Sequence, residues 1–189
     1  DFGSAAGPAV GRNGDHSPQK AWQPMKLQWT EDLFFLALKL ALIGLVLAVM
    51  LLWVFGVVRC TDNAMSPACK DGDLVLFDRM ADDYLERELV VLEVNGKTQI
   101  RRIVAVPGDT VEVTEEGLFL NGYRQQEADI TTDTLPYKEG IRYPETLKAG
   151  EYFVLADHRT NAEDSRIYGL VTKKEIKGTV ITLLRRRGF

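Results

Sequence analysis

A chain of 189 residues is long enough for one globular domain and an additional segment. Its 26% charged and 46% hydrophobic residues are the make-up of an ordinary folded protein, not of a disordered or fibrous one. The 23 basic and 27 acidic residues leave a net charge of -4, which argues against the basic footprint of a nucleic-acid-binding protein.

Residues 1–24 are rich in Gly, Ala, Pro, Ser and Asn without a hydrophobic period, and they read as a disordered leader. Met25 reads as a natural start, so 1–24 stand outside the fold expectations. Thr30 is the expected N-cap of a helix whose first turn carries Glu31 and Asp32, with Trp29 at the level of an interfacial aromatic belt. Leu40 to Val58 is nineteen residues without a charge. At 1.5 Å rise per residue it covers roughly 28 Å, the thickness of a bilayer's hydrocarbon core. It is too long for the apolar part of a cleaved signal peptide, and Arg59-Cys60 follows where a small-x-small site would stand. Residues 25–59 are therefore expected to be an uncleaved single-pass anchor in the lipid bilayer. Lys20 and Lys26 before it and Arg59 and Lys70 after it leave its orientation tied by charge.

After Cys60 the pattern changes to short β-type runs: 73–78, 88–94, 99–106, 110–113, 118–120, 152–155 and 178–184. Turn formers separate them, above all Asn95-Gly96 between Val94 and Lys97, then Pro107-Gly108-Asp109, Glu116-Gly117 and Asn121-Gly122. The expected class is mainly β, an antiparallel, partly closed domain over 60–189. Helical turns are expected only at 81–86 and 173–176. Residues 124–149 lack a period and are assigned to a smaller extended second lobe or a long loop.

Three blocks carry the chemistry. The first is Asp62-Asn-Ala-Met-Ser-Pro-Ala-Cys-Lys-Asp-Gly-Asp73, the second Ile100-Arg-Arg-Ile-Val-Ala-Val-Pro-Gly-Asp109, and the third Ala156-Asp-His-Arg-Thr-Asn-Ala-Glu-Asp-Ser-Arg166. In this order behind one apolar helix they resemble the bacterial type I signal peptidases. That family's first block is Ser-Met-x-Pro followed by Gly-Asp, and its second begins Lys-Arg. The resemblance implies a membrane serine endopeptidase that removes signal peptides from exported preproteins, with its main domain outside the cytoplasm. It also implies an extended substrate bound by strand addition, and no cofactor or metal; no His/Cys cluster has zinc spacing.

The resemblance places the nucleophile at Ala64 and the general base at Arg101. A Ser/Lys dyad needs a hydroxyl and a lysine that burial renders neutral. Alanine has no hydroxyl, and an arginine stays protonated in proteins. Each change alone costs several orders of magnitude by analogy with the loss of a triad member. Asp62 falls where some family members offer a hydroxyl to the oxyanion, and a carboxylate there repels a forming oxyanion. Met65, Pro67, Asp73, Arg102, Asp164, Ser165 and Arg166 match the family pattern as structural support, with Asp164 the expected partner of Arg101. The third block departs from the family's Gly-Asp-Asn-Arg at Ala156 and His158, and has Ala162 in place of a Ser.

Two accounts stay open. The dyad of an active peptidase has been replaced, in which case Ala64→Ser with Arg101→Lys restores cleavage. Otherwise the chain is a natural non-catalytic relative, of the kind found beside sortase-assembled pili in Gram-positive bacteria, with pilin or sortase as partner. Ser66 reads as a turn residue, and His158 with Asp157, Asp164 and Ser165 as turn and network residues instead of a triad. Lys97 lies roughly 13 Å along its strand from Arg101, too far to replace it. Cys60 and Cys69 either form a disulfide closing a short loop or stand as two thiols. The second reading is favoured because Cys69 takes the family's usual Leu position. The terminal run 185–187 reads as solvated arginines that can meet anionic headgroups.

Overall fold

The computed structural model describes residue 3 and residues 28–126, 130, 132–160 and 162–185. The leader reading of 1–24, Met25 as a start, and Arg186 and Arg187 lie outside these, Gly3 excepted. Internal contacts divide the chain between Leu45 and Val46.

The first element is helix α1 (Gln28–Val54), whose stretch Glu31–Val54 has mean hydropathy 2.7 and is long and apolar enough to cross a membrane. Thr30 lies inside this helix and is not its cap. The helix also ends earlier than the uncharged run suggests. Residues Phe55–Arg59 form strand β1, paired with β2 (Leu74–Asp78) in the register Phe55↔Asp78 to Arg59↔Leu74. The Arg79 N–H donates to the carbonyl of Val54 at 2.9 Å, which ends the helical ladder. Gly56 makes the pairing possible: a Cβ there would meet Phe77 Cζ at 2.2 Å. Hydrophobicity alone does not separate a membrane helix from an apolar strand that directly follows it, so the uncharged run extends past the end of the helix.

The remaining strands are β3 (Leu89–Val94), β4 (Lys97–Ala105), β5 (Thr110–Thr114), β6 (Gly117–Leu120), β7 (Tyr123–Arg124), β8 (Glu145–Thr146) and β9 (Glu151–Leu155). After the short helix α2 (Ser165–Tyr168) come β10 (Val171–Thr172) and β11 (Ile176–Leu184). All pairings are antiparallel. They build a seven-stranded sheet in the order β1-β2-β11-β3-β4-β9-β10 and a four-stranded sheet in the order β7-β6-β5-β8. The fold is thus mainly β and antiparallel, with the smaller sheet as the second lobe, and neither sheet closes into a barrel. Asn95-Gly96 turns β3 into β4 with φ of 53 and 73°, and Asn121-Gly122 turns β6 into β7 with 53 and 83°. Positive φ at both central residues is what a two-residue hairpin turn requires. Of the period-less stretch 124–149, β8 joins the second sheet through β5. No helix forms at 81–86, 173–175 is a single turn closed by the Glu175 N–H on Thr172 O at 2.9 Å, and the short helix is α2, capped by Asp164.

Alternation along β3 explains how the large sheet is buried on both faces. Val91 packs with Met65, Val75, Phe77, Ile100 and Ala156, whereas Val90, Leu92 and Val94 pack with Ile103, Tyr152, Val154 and Ile176. A third cluster around Val111, Leu118, Leu147 and Phe153 fills the smaller lobe.

Cys60 and Cys69 form a disulfide, and no described cysteine is free, which corrects the thiol reading. The burial inferred for Cys69 holds, at 0% exposure. Backbone bonds explain the pairing: the Cys60 N–H donates to Asp73 O at 2.8 Å and the Gly72 N–H to Cys60 O at 3.0 Å, drawing both ends of the loop together. Replacing both cysteines by serine is expected to lower unfolding free energy by about 2–3 kcal/mol, as for a short closed loop. A urea titration followed by circular dichroism checks this, and an unchanged midpoint would show that the backbone bonds alone suffice.

Candidate functional site

The three blocks meet in one open cleft of 740 Å³. The loop before β2 contributes Thr61, Asp62, Asn63, Ala64 and Ser66, strand β4 contributes Lys97, Thr98, Gln99 and Arg101, and the stretch after β9 contributes His158, Thr160, Ala162 and Glu163. Residues more than fifty positions apart are brought together because β4 pairs with β9, Arg102 opposite Leu155.

The first loop is held in place from within. Met65, 2% exposed, plugs it into the core, and Asp73 Oδ2 accepts the Lys70 N–H at 3.1 Å. Gly72, at φ 91°, supplies the turn into β2. Asn63 Oδ1 accepts the Asp71 N–H at 3.1 Å. Pro67 is exposed, and its carbonyl accepts Arg185 Nη2 at 3.4 Å. At the apex the His158 N–H donates to Ala64 O at 2.8 Å, fastening the first block to the third.

Arg101 is 2% exposed although it lines the cleft. Its Nε donates to Glu163 O at 2.9 Å and its Nη1 to Ile100 O at 2.6 Å. Its Nη2 stands 3.9 Å from Asp62 Oδ2, an ion pair without a hydrogen bond. Asp62 Oδ1 accepts the Ala64 N–H at 3.0 Å. One carboxylate therefore lies between the backbone N–H at the nucleophile position and the guanidinium at the base position.

The expected partnership of Asp164 with Arg101 does not form. Asp164, 0% exposed, accepts Arg166 Nε at 2.9 Å, Arg166 Nη2 at 2.8 Å, the Arg166 N–H at 3.1 Å and the Ala156 N–H at 3.2 Å. The shorter reach of Arg166, two residues away and at the start of α2, wins this carboxylate. Burial disfavours the Arg166 cation, but the hydrogen bond and charge of Asp164 more than offset this and raise its pKa. Ser165 Oγ accepts the Val154 N–H at 3.0 Å, and Arg102 grips Asp157 with two bonds of 2.8 and 2.6 Å. With both aspartates and the serine engaged elsewhere, the ingredients of a triad around His158 are not brought together. Lys97 pairs at 3.1 Å with Glu163, an exposed contact of little energetic weight.

Sequence reasoning missed two supports. Tyr137 bonds through its hydroxyl to Ala162 N at 3.0 Å and Ala162 O at 3.2 Å, and Arg166 lies 4.7 Å over its ring. Tyr137 falls in the stretch without a period, so nothing marked it. The Glu163 carbonyl holds Arg101, a backbone role that residue type does not reveal. Burial pushes the Tyr168 phenol well above its ordinary range, and nearby Arg101 offsets only part of that.

The family model described as signal peptidase, peptidase S26, matches residues 33–184. Signal peptidase I of Bacillus amyloliquefaciens is 30% identical over 152 residues, covering 75% of this chain and 82% of the relative. Signal peptidase I S of Bacillus subtilis is 30% identical over 154 residues, covering 75% and 83%. A crystal structure of a signal peptidase I from Enterococcus faecalis aligns with a TM-score of 0.44 at 24% identity, covering 53% of this chain and 98% of that one. With three blocks converging on one cleft and a family match across most of its length, the chain belongs to the signal peptidase family, peptidase S26.

Proposed function

We propose that this chain is a membrane-anchored signal peptidase scaffold that receives the signal-peptide region of exported preproteins in its cleft and does not hydrolyse it. The family removes signal peptides and consists of membrane proteins, and α1 fits a single span. In this reading Ala64 holds the nucleophile position, Arg101 the base position and Asp62 the oxyanion position. Met65, Pro67, Asp73, Arg102, Asp164, Ser165 and Arg166 support them.

One observation carries the reading: the Asp62 carboxylate sits on the Ala64 N–H and faces Arg101. A serine peptidase stabilises a developing oxyanion with backbone donors such as the nucleophile's own N–H. Here that donor already serves a carboxylate, beside a methyl that cannot attack and a cation that cannot accept a proton. An acidic residue at 62 facing an arginine at 101 supports natural divergence toward binding, for which a pilin or a sortase would be a suitable partner.

An extracytoplasmic position of the β domain is supported by the Cys60–Cys69 disulfide, since such bonds persist in oxidising compartments. Apolar side chains exposed on β1, β2 and β11, namely Val57, Leu74, Ile181 and Leu184, support contact of the β domain with the bilayer surface.

The test is a preprotein incubated with the full chain in detergent. The expected result is no processing above buffer, with the preprotein retained by the immobilised chain. Processing by the chain as it stands would overturn the reading.

A further inference from the structure

We propose that the floor of the cleft is a carboxylate-binding site, that Asp62 fills it from within, and that its external ligand is the free C-terminal carboxylate of an already cleaved peptide. The inference rests on the non-hydrolysing reading and names the ligand class of that same site.

The two donors of the site are fixed. Arg101 spends Nε and Nη1 on the carbonyls of Glu163 and Ile100, which locks the guanidinium and leaves Nη2 on the cleft side. The Ala64 N–H is held in a loop tied at both ends by the disulfide and by its own carbonyl's bond to the His158 N–H. A cation and a backbone N–H that converge on one point suit a carboxylate, whose two oxygens can take both.

The present occupant is held more loosely than the site is. The Asp62 side chain is 54% exposed, and its Oδ2 stops 3.9 Å from Nη2, short of a hydrogen bond. Another carboxylate that reaches hydrogen-bond distance of Nη2 exchanges like for like on the N–H and gains at the guanidinium.

The chemistry of peptide hydrolysis identifies that carboxylate. Cleavage converts the carbonyl at the scissile position into a carboxylate on the released signal-peptide side. An intact chain presents only a neutral carbonyl there, which leaves a buried guanidinium without a counter-charge once Asp62 is displaced. Ala64 carries no hydroxyl to crowd the second oxygen. The cleft therefore favours the product of a peptidase over its substrate.

Binding of a fluorescent heptapeptide ending Ala-Gln-Ala, as free acid and as C-terminal amide, to the full chain in detergent tests this by anisotropy. The chain as it stands is expected to prefer the acid by less than about threefold, because Asp62 competes. Asp62→Ala is expected to tighten acid binding by about tenfold and leave the amide unchanged, and adding Arg101→Gln is expected to abolish the preference. Asp62→Asn keeps an acceptor for the Ala64 N–H, so a disturbed loop cannot account for a gain of acid binding in both variants. Equal binding of acid and amide by Asp62→Ala overturns the carboxylate site, as does loss of both. Failure of the non-hydrolysing reading looks different: the chain as it stands cuts an uncleaved peptide, or binds neither form.

Discussion

Ala64→Ser together with Arg101→Lys leaves preprotein processing near background, and adding Asp62→Ser to that pair raises it by about 10²–10³-fold. The double change supplies the hydroxyl and an ammonium in the places of the family's dyad. Two effects of Asp62 still stand against it. Its Oδ1 occupies the Ala64 N–H at 3.0 Å, and loss of one oxyanion donor costs a serine peptidase about 10²–10³ in turnover. Its Oδ2 lies beside the side chain of residue 101, and a nearby carboxylate favours the charged form of a lysine. The base has to be neutral, so the same carboxylate that blocks the oxyanion also holds the lysine protonated. Serine at 62 removes the charge and returns a hydroxyl donor. Gel analysis of processing by the single, double and triple variants checks this, with Asp62→Ser alone as an inactive control. A double variant as active as the triple would show that Asp62 leaves the site when substrate enters.

The local code of this chain was legible where one residue type has one physical use. Asn95-Gly96 between two hydrophobic runs could only be a tight hairpin, and the structure has that turn with Val94 opposite Lys97. The three blocks were legible because their spacing is unusual, and the fold does converge them on one cleft. What failed was the choice of partner among like charges. Asp164 had Arg101 and Arg166 within the same motif set, and the resemblance pointed to Arg101 although Arg166, two positions away, is the partner. The cysteine pair failed for a related reason. Apolar burial of Cys69 and its oxidation are compatible, and only the backbone bonds between residues 60 and 72–73 bring the two sulfurs together. The two-residue strands β7, β8 and β10 are too short for any period to show. Helix α2 is also short, although Asp164 ahead of Ser165-Arg166 is the cap signal that could have announced it.

Asp164→Ala is expected to be the most damaging single change to stability, at about 3–5 kcal/mol. The carboxylate is wholly buried and takes four hydrogen bonds, three of them from Arg166, which is itself 2% exposed. Its removal leaves a guanidinium in the interior without a counter-charge and the Ala156 N–H without an acceptor. Lys97→Ala, which breaks the exposed pair with Glu163, is the reference and should cost less than about 1 kcal/mol. Adding Arg166→Met to Asp164→Ala should recover part of the loss, because the stranded charge goes with it. The damage also reaches the cleft by a traceable route. Arg166 lies against the Tyr137 ring, Tyr137 clamps Ala162, and the next carbonyl, Glu163 O, holds Arg101 Nε. Urea titrations followed by far-UV circular dichroism measure the stability change. If Asp164→Ala and Lys97→Ala shift the midpoint alike, the buried pair is not the brace of this site and the route from Asp164 to Arg101 fails with it.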